Sequence, residues 1–578
     1  MHLTHKFSER QKLHFLGLLV GVLAGFAAVL LGFLIDIVKS VLNRGFDGFL
    51  FPWQYLVLPG VGMLLSLLLL RFVIRDDIGH GVTKVLLAVS RNESRIKPHN
   101  TWSSLLTSAV TIGFGGSVGA EAPIVYTGAA IGSNLGRRFG LSYRNTTILL
   151  GCGAAAAVAG IFKAPLAGIL FTMEILLFNM SMSALLPMLL ATISATVISC
   201  LFRGPLPLFP CTTTAFSMGN IPFYLLLGVL LGFCSLYFTG VTLWLEDRLA
   251  RIGNAYLRWG LCAAFLGLLI FLFPPLYGEG YDSLGALLDG RPDVGGGALL
   301  PVLLQSPWGL PLFFLLVFLL KVLAMTCTNA GGGNGGTFGP TLFCGAVMGF
   351  VAARVLNLLG AGVPEQNFAL VGMAALMAGV MQAPLTAIFL IAEISGGYAL
   401  LLPLILAATV SFGTVRIFEK YSIYTKRLAK SGDLLTHDND RSALTLLNTR
   451  DLIRDKYPRM RPDQTLGEVV EVVASCTAAV IAVVDGRERY QGVIDIGNIR
   501  QALFRPRDYA KLRVYNLMET APALIHDTDR MDAVMRKFEA TQAWRLPVVD
   551  ADNRYLGFIS RSRLLTAYRA ELKEITQD

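Results

Sequence analysis

The chain has 578 residues, 54% of them hydrophobic and only 15% charged, with a formal net charge of +10. Soluble domains carry about 25% charged residues, so the composition excludes a protein that is soluble throughout. Charge is also unevenly placed: from Ala164 to Phe202 the only charged side chain is Glu174, whereas from Arg450 onward Asp, Glu and Arg recur as in ordinary globular sequence. Two parts are expected, one in lipid and one in water.

The first apolar stretch, Phe15 to Val38, is interrupted only by Asp36. At about 1.5 Å per residue it is long enough for a hydrocarbon core of about 30 Å. It lacks the short apolar core and small-residue cleavage site of a signal peptide, so it is expected to stay in the mature protein. Lys6, Arg10 and Lys12 flank it and place that end in the cytoplasm by the positive-inside tendency. The other basic clusters (Arg91, Arg95, Lys97; Arg137, Arg138, Arg144; Lys420, Lys426, Arg427, Lys430) fall between apolar segments. They suit loops beside anionic headgroups and form no aromatic-interleaved face for a nucleic acid. The eight cysteines, among them Cys152, Cys200 and Cys344, form neither metal-type pairs nor a disulfide framework.

Up to about Phe418 there are more than ten apolar stretches, many too short for a full span and several broken by Gly and Pro. Helices that stop inside a membrane are tolerated around a cavity or binding site. An internal repeat runs through them. Gly115, Gly116, Gly119, Pro123, Gly128 and Gly132 recur as Gly332, Gly333, Gly336, Pro340, Gly345 and Gly349, each pair 217 positions apart. Ala164 to Glu174 (APLAGILFTME) recurs as Ala383 to Glu393 (APLTAIFLIAE) at an offset of 219. A duplicated membrane domain is expected, with repeats over roughly residues 15–202 and 221–418; such repeats often face opposite ways with their substrate between them.

A smaller repeat lies in the tail, where Val483 to Ile494 matches Val548 to Ile559 at an offset of 65. Each unit reads as helix, two short strands and helix, in the second unit Asp529–Ala540, Leu546–Val549, Tyr555–Ser560 and Arg561 onward. The pair, over roughly 450–508 and 514–572, resembles tandem CBS domains. The expected division is a membrane domain over 1–433 and an α/β tail over 434–578.

The glycine-rich blocks carry the chemistry. In Gly119-Ala120-Glu121-Ala122-Pro123 and in Gly336-Thr337-Phe338-Gly339-Pro340 a proline sits where a helix begins, and glycines let the backbone come close. A helix N-terminus carries roughly half a positive charge and unpaired N–H donors, so two of them facing one point make an anion site without a full cation. Glu121, in an otherwise uncharged stretch, can occupy such a site as a tethered anion, or take up a proton and swing away. It is therefore the candidate gate and proton-accepting carboxylate.

Gly79-His80-Gly81-Val82-Thr83, the Glu121 block, the Phe338 block and Tyr424 in Ser422-Ile423-Tyr424 resemble, in the same order, the four anion-site segments of the CLC chloride channels and chloride/proton antiporters. The similarity spans roughly Leu16 to Lys430. It implies an all-α polytopic membrane domain with an inverted repeat, and a homodimer with one pore per subunit. It also implies that the Thr337 and Phe338 amides and the Tyr424 hydroxyl hold a central anion, with His80, Gly81, Val82, Gly119, Ala120, Gly336 and Gly339 lining the pathway.

Departures from the family pattern carry information. Thr83 stands where proline is usual, which weakens the fixed start of the following helix. His80 is either a cation that attracts anions or a neutral hydrogen-bonding side chain, the second reading being favoured. Ala120 and Ala122 replace a basic residue and a glycine. The position of the inner proton-accepting glutamate of many family antiporters is held by Ile175. Glu174 beside it points about 100° elsewhere on a helix and is either a water-linked substitute or, as Glu393 in the second repeat suggests, a structural carboxyl. Lys163 either adds attraction for anions at a vestibule or snorkels to the interface. The ribose-binding Asp of nucleotide-binding CBS modules is missing from both places (Ser560-Arg561-Ser562-Arg563; Asp495, Gly497, Asn498), which leaves Ser560 and Ser562 as the contacts for an adenine nucleotide; no other cofactor and no metal is expected.

The resulting expectation is a multi-pass protein of the cytoplasmic membrane, with its tail in the cytoplasm, that moves chloride through a Glu121-gated pathway. Ile175 favours a passive channel; a chloride/proton antiporter without the inner glutamate is the alternative, and a mainly sensory role of the tail a third. No phosphate loop, zinc-type His pair or nucleophile motif points to an enzyme.

Overall fold

The computed structural model describes residues 9–46, 54–76, 78–91, 94–176, 182–209, 214–288, 306–430, 447–454, 457–476 and 478–576. The chain separates into two compact units, Met1–Leu434 and Leu435–Asp578. The expected boundary at 433/434 and the flanking Lys6 lie outside the described residues.

The first unit is helical. Its first half holds α1 (Glu9–Phe46), α2 (Gln54–Leu68, continued by a π-helical turn, Leu69–Ile74), α3 (Gly81–Arg91), α4 (Ser103–Gly113), α5 (Glu121–Arg138), α6 (Tyr143–Phe162), α7 (Pro165–Glu174) and α8 (Met182–Arg203). The second half repeats the order with α9 (Ile221–Ala250), α10 (Ala255–Leu272), α11 (Tyr281–Leu288), α12 (Gly309–Ala330), α13 (Phe338–Leu358), α14 (Glu365–Met381), α15 (Pro384–Ile394) and α16 (Leu401–Phe418); α17 (Ile423–Lys430) follows. Among the described residues nine helices are long and apolar enough to cross a membrane. The segment read from Phe15 to Val38 is part of α1, and its Asp36 pairs with Arg203 at 2.7 Å. The shorter apolar helices, Pro165–Glu174 and Pro384–Ile394 among them, are the interrupted spans expected of a protein that encloses a site.

Repeated glycines set the packing in both halves. A Cβ on Gly128 or Gly132 would come within 2.2 or 2.0 Å of a backbone oxygen of α6, and one on Gly345 or Gly349 within 2.5 or 2.1 Å of a backbone oxygen of α14. Small residues four apart let two backbones touch, which is how helices associate where lipid removes the hydrophobic drive between them.

The repeats run in opposite directions. Gly119 and Gly336, equivalent residues, form an antiparallel bridge. Glu174, at the end of α7, accepts from the Leu385 and Thr386 amides at 3.1 and 2.7 Å, at the start of α15. Glu393, near the end of α15, accepts from the Leu166 and Ala167 amides at 3.1 and 3.0 Å, at the start of α7. Equivalent helices that cap each other in this way are antiparallel neighbours, so a pseudo-twofold axis relates the halves.

The second unit contains two three-stranded sheets of the same design. In order β1 (Arg459–Met460), β2 (Val480–Val484) and β3 (Tyr490–Asp495) pair parallel and then antiparallel, as do β4 (Ile525–His526), β5 (Arg545–Val549) and β6 (Tyr555–Ser560). Helices α18 (Leu466–Ser475), α19 (Ile496–Leu503), α20 (Val514–Leu517), α21 (Met531–Thr541) and α22 (Arg561–Thr576) accompany them. The two modules share a core, in which equivalent Tyr490 and Tyr555 stack with ring centroids 6.4 Å apart.

Candidate functional site

The site begins at the bridge between the repeats. Gly119 N–H donates to Gly336 O at 3.0 Å and Gly336 N–H to Gly119 O at 2.7 Å, which sets the N-termini of α5 and α13 side by side. The helices start at Glu121 and Phe338, two residues beyond each glycine, so Pro123 and Pro340 are third residues and not the first ones. Proline is accepted there because first-turn N–H groups lack intrahelical partners. Polar side chains of α4 clamp the loop of the second repeat. The Thr111 hydroxyl accepts from the Asn334 amide at 3.0 Å, and Asn334 Nδ2 donates to Thr107 Oγ1 at 2.7 Å and to Ser104 O at 3.2 Å.

Glu121 is 2% exposed. Its Oε2 accepts from the Gly339 amide at 3.1 Å, in the first turn of α13, and its Oε1 accepts from the Tyr281 hydroxyl. The carboxylate of one repeat therefore sits on the helix N-terminus of the other. Glycine makes the room: a Cβ on Gly119 would lie 2.1 Å from Glu121 Oε2, and one on Gly339 would lie 2.9 Å from Oε1. Of the other orphan donors that begin α13, the Thr337 and Phe338 amides have no acceptor among the described residues. The buried Thr337 hydroxyl donates to the Tyr424 oxygen at 3.3 Å, and the Phe338 ring packs against Phe162 and Phe171.

The first-repeat loop closes on the same place. A Cβ on Gly81 would come 2.4 Å from Ala122 O, and Val82 is buried beside it. His80 Nε2 lies 3.4 Å from Glu246 Oε1, a carboxylate that also takes Arg427 Nη2 at 2.6 Å and Nε at 3.2 Å. Thr83 does not prevent the helix from starting early, since α3 begins at Gly81 with Lys84 N–H donating to His80 O at 3.1 Å. Gly81, Val82, Gly119, Ala120, Glu121, Gly336, Thr337, Phe338, Gly339 and Tyr424 thus converge from four separate stretches of chain.

Other candidates fall elsewhere. Ile175 is buried at the end of α7, its N–H donating to Phe171 O at 2.9 Å, and its side chain has no proton to exchange. The Glu174 carboxylate faces α15, where the Thr386 hydroxyl adds a third bond at 2.7 Å. Lys163 turns on a left-handed backbone (φ 56°) and donates to Leu206 O at 2.8 Å, in the loop after α8, and to Arg203 O at 3.4 Å, the last carbonyl of α8. In the tail Ser560 Oγ lies 3.3 Å from Ser562 Oγ and accepts from the Arg563 amide at 3.3 Å, at the start of α22. Asp495 caps α19 through the Gly497 amide at 2.8 Å, and Asn498 donates to Glu519.

The sequence reading passed over Tyr281, Glu279 and Lys321. Glu279 Oε1 accepts from the Ala120 amide at 3.1 Å, and the fully buried Lys321 donates to Gly278 O at 2.8 Å and Leu276 O at 3.3 Å. For Lys321, the one charged residue of α12, an ionisable side chain in an apolar stretch was the available signal.

The family model described as "Voltage gated chloride channel" matches residues 61–416, and that described as "CBS domain" matches residues 514–570. Relatives include a putative chloride channel protein ClcB-like of Ralstonia nicotianae, 29% identical over 66% of this chain and 87% of that protein. The voltage-gated ClC-type chloride channel ClcB of Escherichia coli is 28% identical over 71% of this chain and 97% of its own length. Among solved structures, a slow cyanobacterial Cl-/H+ antiporter superposes with a TM-score of 0.63 at 22% identity, over 74% of this chain and 99% of that one. A eukaryotic CLC transporter superposes with a TM-score of 0.60 at 17% identity, over 96% of this chain and 98% of that one. At such identities these two likenesses are of fold. With more than half of its length matched by the first family model, on top of an inverted helical repeat that meets at two glycine-rich N-termini, this chain belongs to the CLC family and is a multi-pass membrane protein of anion transport, not an enzyme.

Proposed function

We propose that the protein moves chloride across the cytoplasmic membrane through a pathway gated by Glu121. The observation that carries this reading is the Glu121 carboxylate on the Gly339 amide and the Tyr281 hydroxyl, where a tethered anion takes donors that a free anion would use. Protonation removes the charge that holds it there, and the carboxyl swings aside. The anion then meets helix-terminal dipoles and no full cation, so binding is favourable but escapable. The Thr337 and Phe338 amides and the Tyr424 hydroxyl hold it at the centre. The names of the Ralstonia and Escherichia relatives support chloride as the cargo.

Ile175 at the inner position supports a passive channel. Proton-coupled exchange is the second reading, favoured by the ionisable run of Glu121, Tyr281, Glu279 and Lys321 along one side of the site. The assembly is a homodimer with one pathway per subunit. The tail lies in the cytoplasm, the side on which the basic flank of α1 places the N-terminus, and it stabilises the dimer, with Ser560 and Ser562 as the contacts for any adenine nucleotide. Purified protein in liposomes, with chloride efflux and internal pH followed together, tests both readings. Chloride loss without coupled proton movement supports the channel; uphill proton movement driven by chloride establishes the antiporter. Glu121→Ala is expected to lose gating and any proton movement yet keep chloride efflux, and loss of all efflux in a folded variant overturns the gate.

A further inference from the structure

The second repeat carries a loop that the 217- and 219-residue offsets pass over. Gly278-Glu279-Gly280-Tyr281 runs into the first turn of α11 as Gly79-His80-Gly81-Val82 runs into the first turn of α3, and α11 holds the place of α3 in its repeat. Gly79 and Gly278 share a left-handed backbone, φ 47° and 59°. A Cβ on Gly81 would meet Tyr126 Cβ at 3.1 Å, one on Gly280 the Phe343 ring at 2.7 Å, and positions 126 and 343 are again 217 apart. The two loops are pseudo-symmetric counterparts, each pressed on a helix whose N-terminus reaches the bridge. Glu279 is the counterpart of His80.

The second loop is firmly built. Lys321 on α12 holds the Leu276 and Gly278 carbonyls, Ser117 Oγ donates to Leu276 O at 2.7 Å, and Gly278 N–H donates to Gly115 O at 3.1 Å. From it the Glu279 side chain reaches the Ala120 amide, immediately before Glu121. The charged and titratable groups that face Glu279 are Glu121 on α5, Lys39 on α1, Lys321 on α12 and Tyr281 at the start of α11, with Cys344 on α13 facing Lys321. Two carboxylates therefore flank one helix N-terminus, one bonded to the amide before it and one to the opposite helix.

We propose that Glu279 is a second pathway carboxylate, which while ionised occupies the Ala120 amide and repels the permeant anion, and which on protonation releases that amide to the anion. The inference rests on the anion pathway proposed above. A carboxylate on a helix-terminal donor competes with any free anion for it, and its charge adds repulsion that its half-buried position screens only in part. Anion occupancy then follows two titrations, those of Glu121 and Glu279.

The test is chloride efflux from liposomes against pH for the full chain, comparing Glu121→Gln with Glu121→Gln/Glu279→Gln. Gln at position 279 keeps an acceptor for the Ala120 amide and removes only the charge. The single variant should still speed up as pH falls, by roughly threefold or more across the carboxylate range, and the double variant should be flat. Lys321→Gln in the Glu121→Gln background is the independent variant, and it should move the midpoint of that dependence to higher pH, because a carboxylate without its cation takes up a proton more readily. A Glu121→Gln protein that carries chloride at a rate flat in pH overturns the role of Glu279 alone. So does an unmoved midpoint, or a dependence that survives in the double variant, which assigns it elsewhere, to His80 first. If Glu121→Gln carries no chloride at all, the pathway reading itself fails, and this one with it.

Discussion

Removing the Glu174 side chain separates a structural carboxyl from a proton carrier. In the wild type it takes three hydrogen bonds from the start of α15, from the Leu385 amide at 3.1 Å and from the Thr386 amide and hydroxyl at 2.7 Å each. A hydrogen bond to a charged group contributes about 1.5–3 kcal/mol, and loss of an N-cap costs about 0.5–2 kcal/mol. The site is only partly buried, so water replaces part of what is lost. Glu174→Ala is therefore expected to destabilise the protein by about 2–4 kcal/mol. Glu393→Ala removes two bonds, to the Leu166 and Ala167 amides, and should cost less, about 1–2 kcal/mol. Glu174→Gln, which keeps one acceptor oxygen, should fall between Glu174→Ala and wild type. Equilibrium unfolding in mixed detergent micelles measures the three, and chloride efflux and proton movement in liposomes should match wild type in each. A Glu174→Ala protein as stable as wild type refutes the capping account. Intact stability with altered proton movement would make Glu174 the water-linked acceptor instead.

Gly119→Ala places a methyl 2.1 Å from Glu121 Oε2 and 2.9 Å from the Gly339 nitrogen. The carboxylate must leave that amide, which forfeits about 1.5 kcal/mol or more and should raise chloride efflux by roughly tenfold; efflux equal to wild type counts against a carboxylate gate. In the tail, Tyr555→Ala removes a buried ring from the core shared by both modules and should cost about 3 kcal/mol. Amide exchange of β2 and β3 in the full chain reads this, and unchanged protection there would show that the modules stand without the stack. The Thr465 amide, then the Gln464 and Thr465 side chains, hold the Glu468 carboxyl below the usual glutamate range. A depressed acid contributes stability above its unfolded value and loses it as pH falls through the folded value. The tail's unfolding temperature should thus begin to drop below about pH 4.3 and continue dropping, less steeply in Glu468→Gln; an unchanged acid limb in that variant would remove Glu468 from the account.

Composition and local pattern were sufficient for much of this protein. The apolar runs, the glycines recurring at 217, the lone Glu121 in an uncharged stretch and the absence of a carboxylate at Ile175 are properties of short windows of sequence. Length and hydropathy separate lipid from water, and a Gly-x-x-x-Gly face or a helix start is encoded within a turn or two. What each ionisable group does was not legible in the same way. Glu121 meets Tyr281 across 160 residues, Ala120 meets Glu279 across 159, and Glu174 meets Thr386 across 212. Glu174 finds its donors at the start of α15, and Lys163 its carbonyls at and just past the end of α8, partners that the residues around each do not reveal. Glu279 carries no motif of its own, and only the pairing of its loop with the one bearing His80 draws attention to it. The charge of a side chain is fixed by its chemistry, but in a low-dielectric interior its role depends on which donor or counter-charge lies within a few ångströms, and only the antiparallel return of the second repeat brings those groups there.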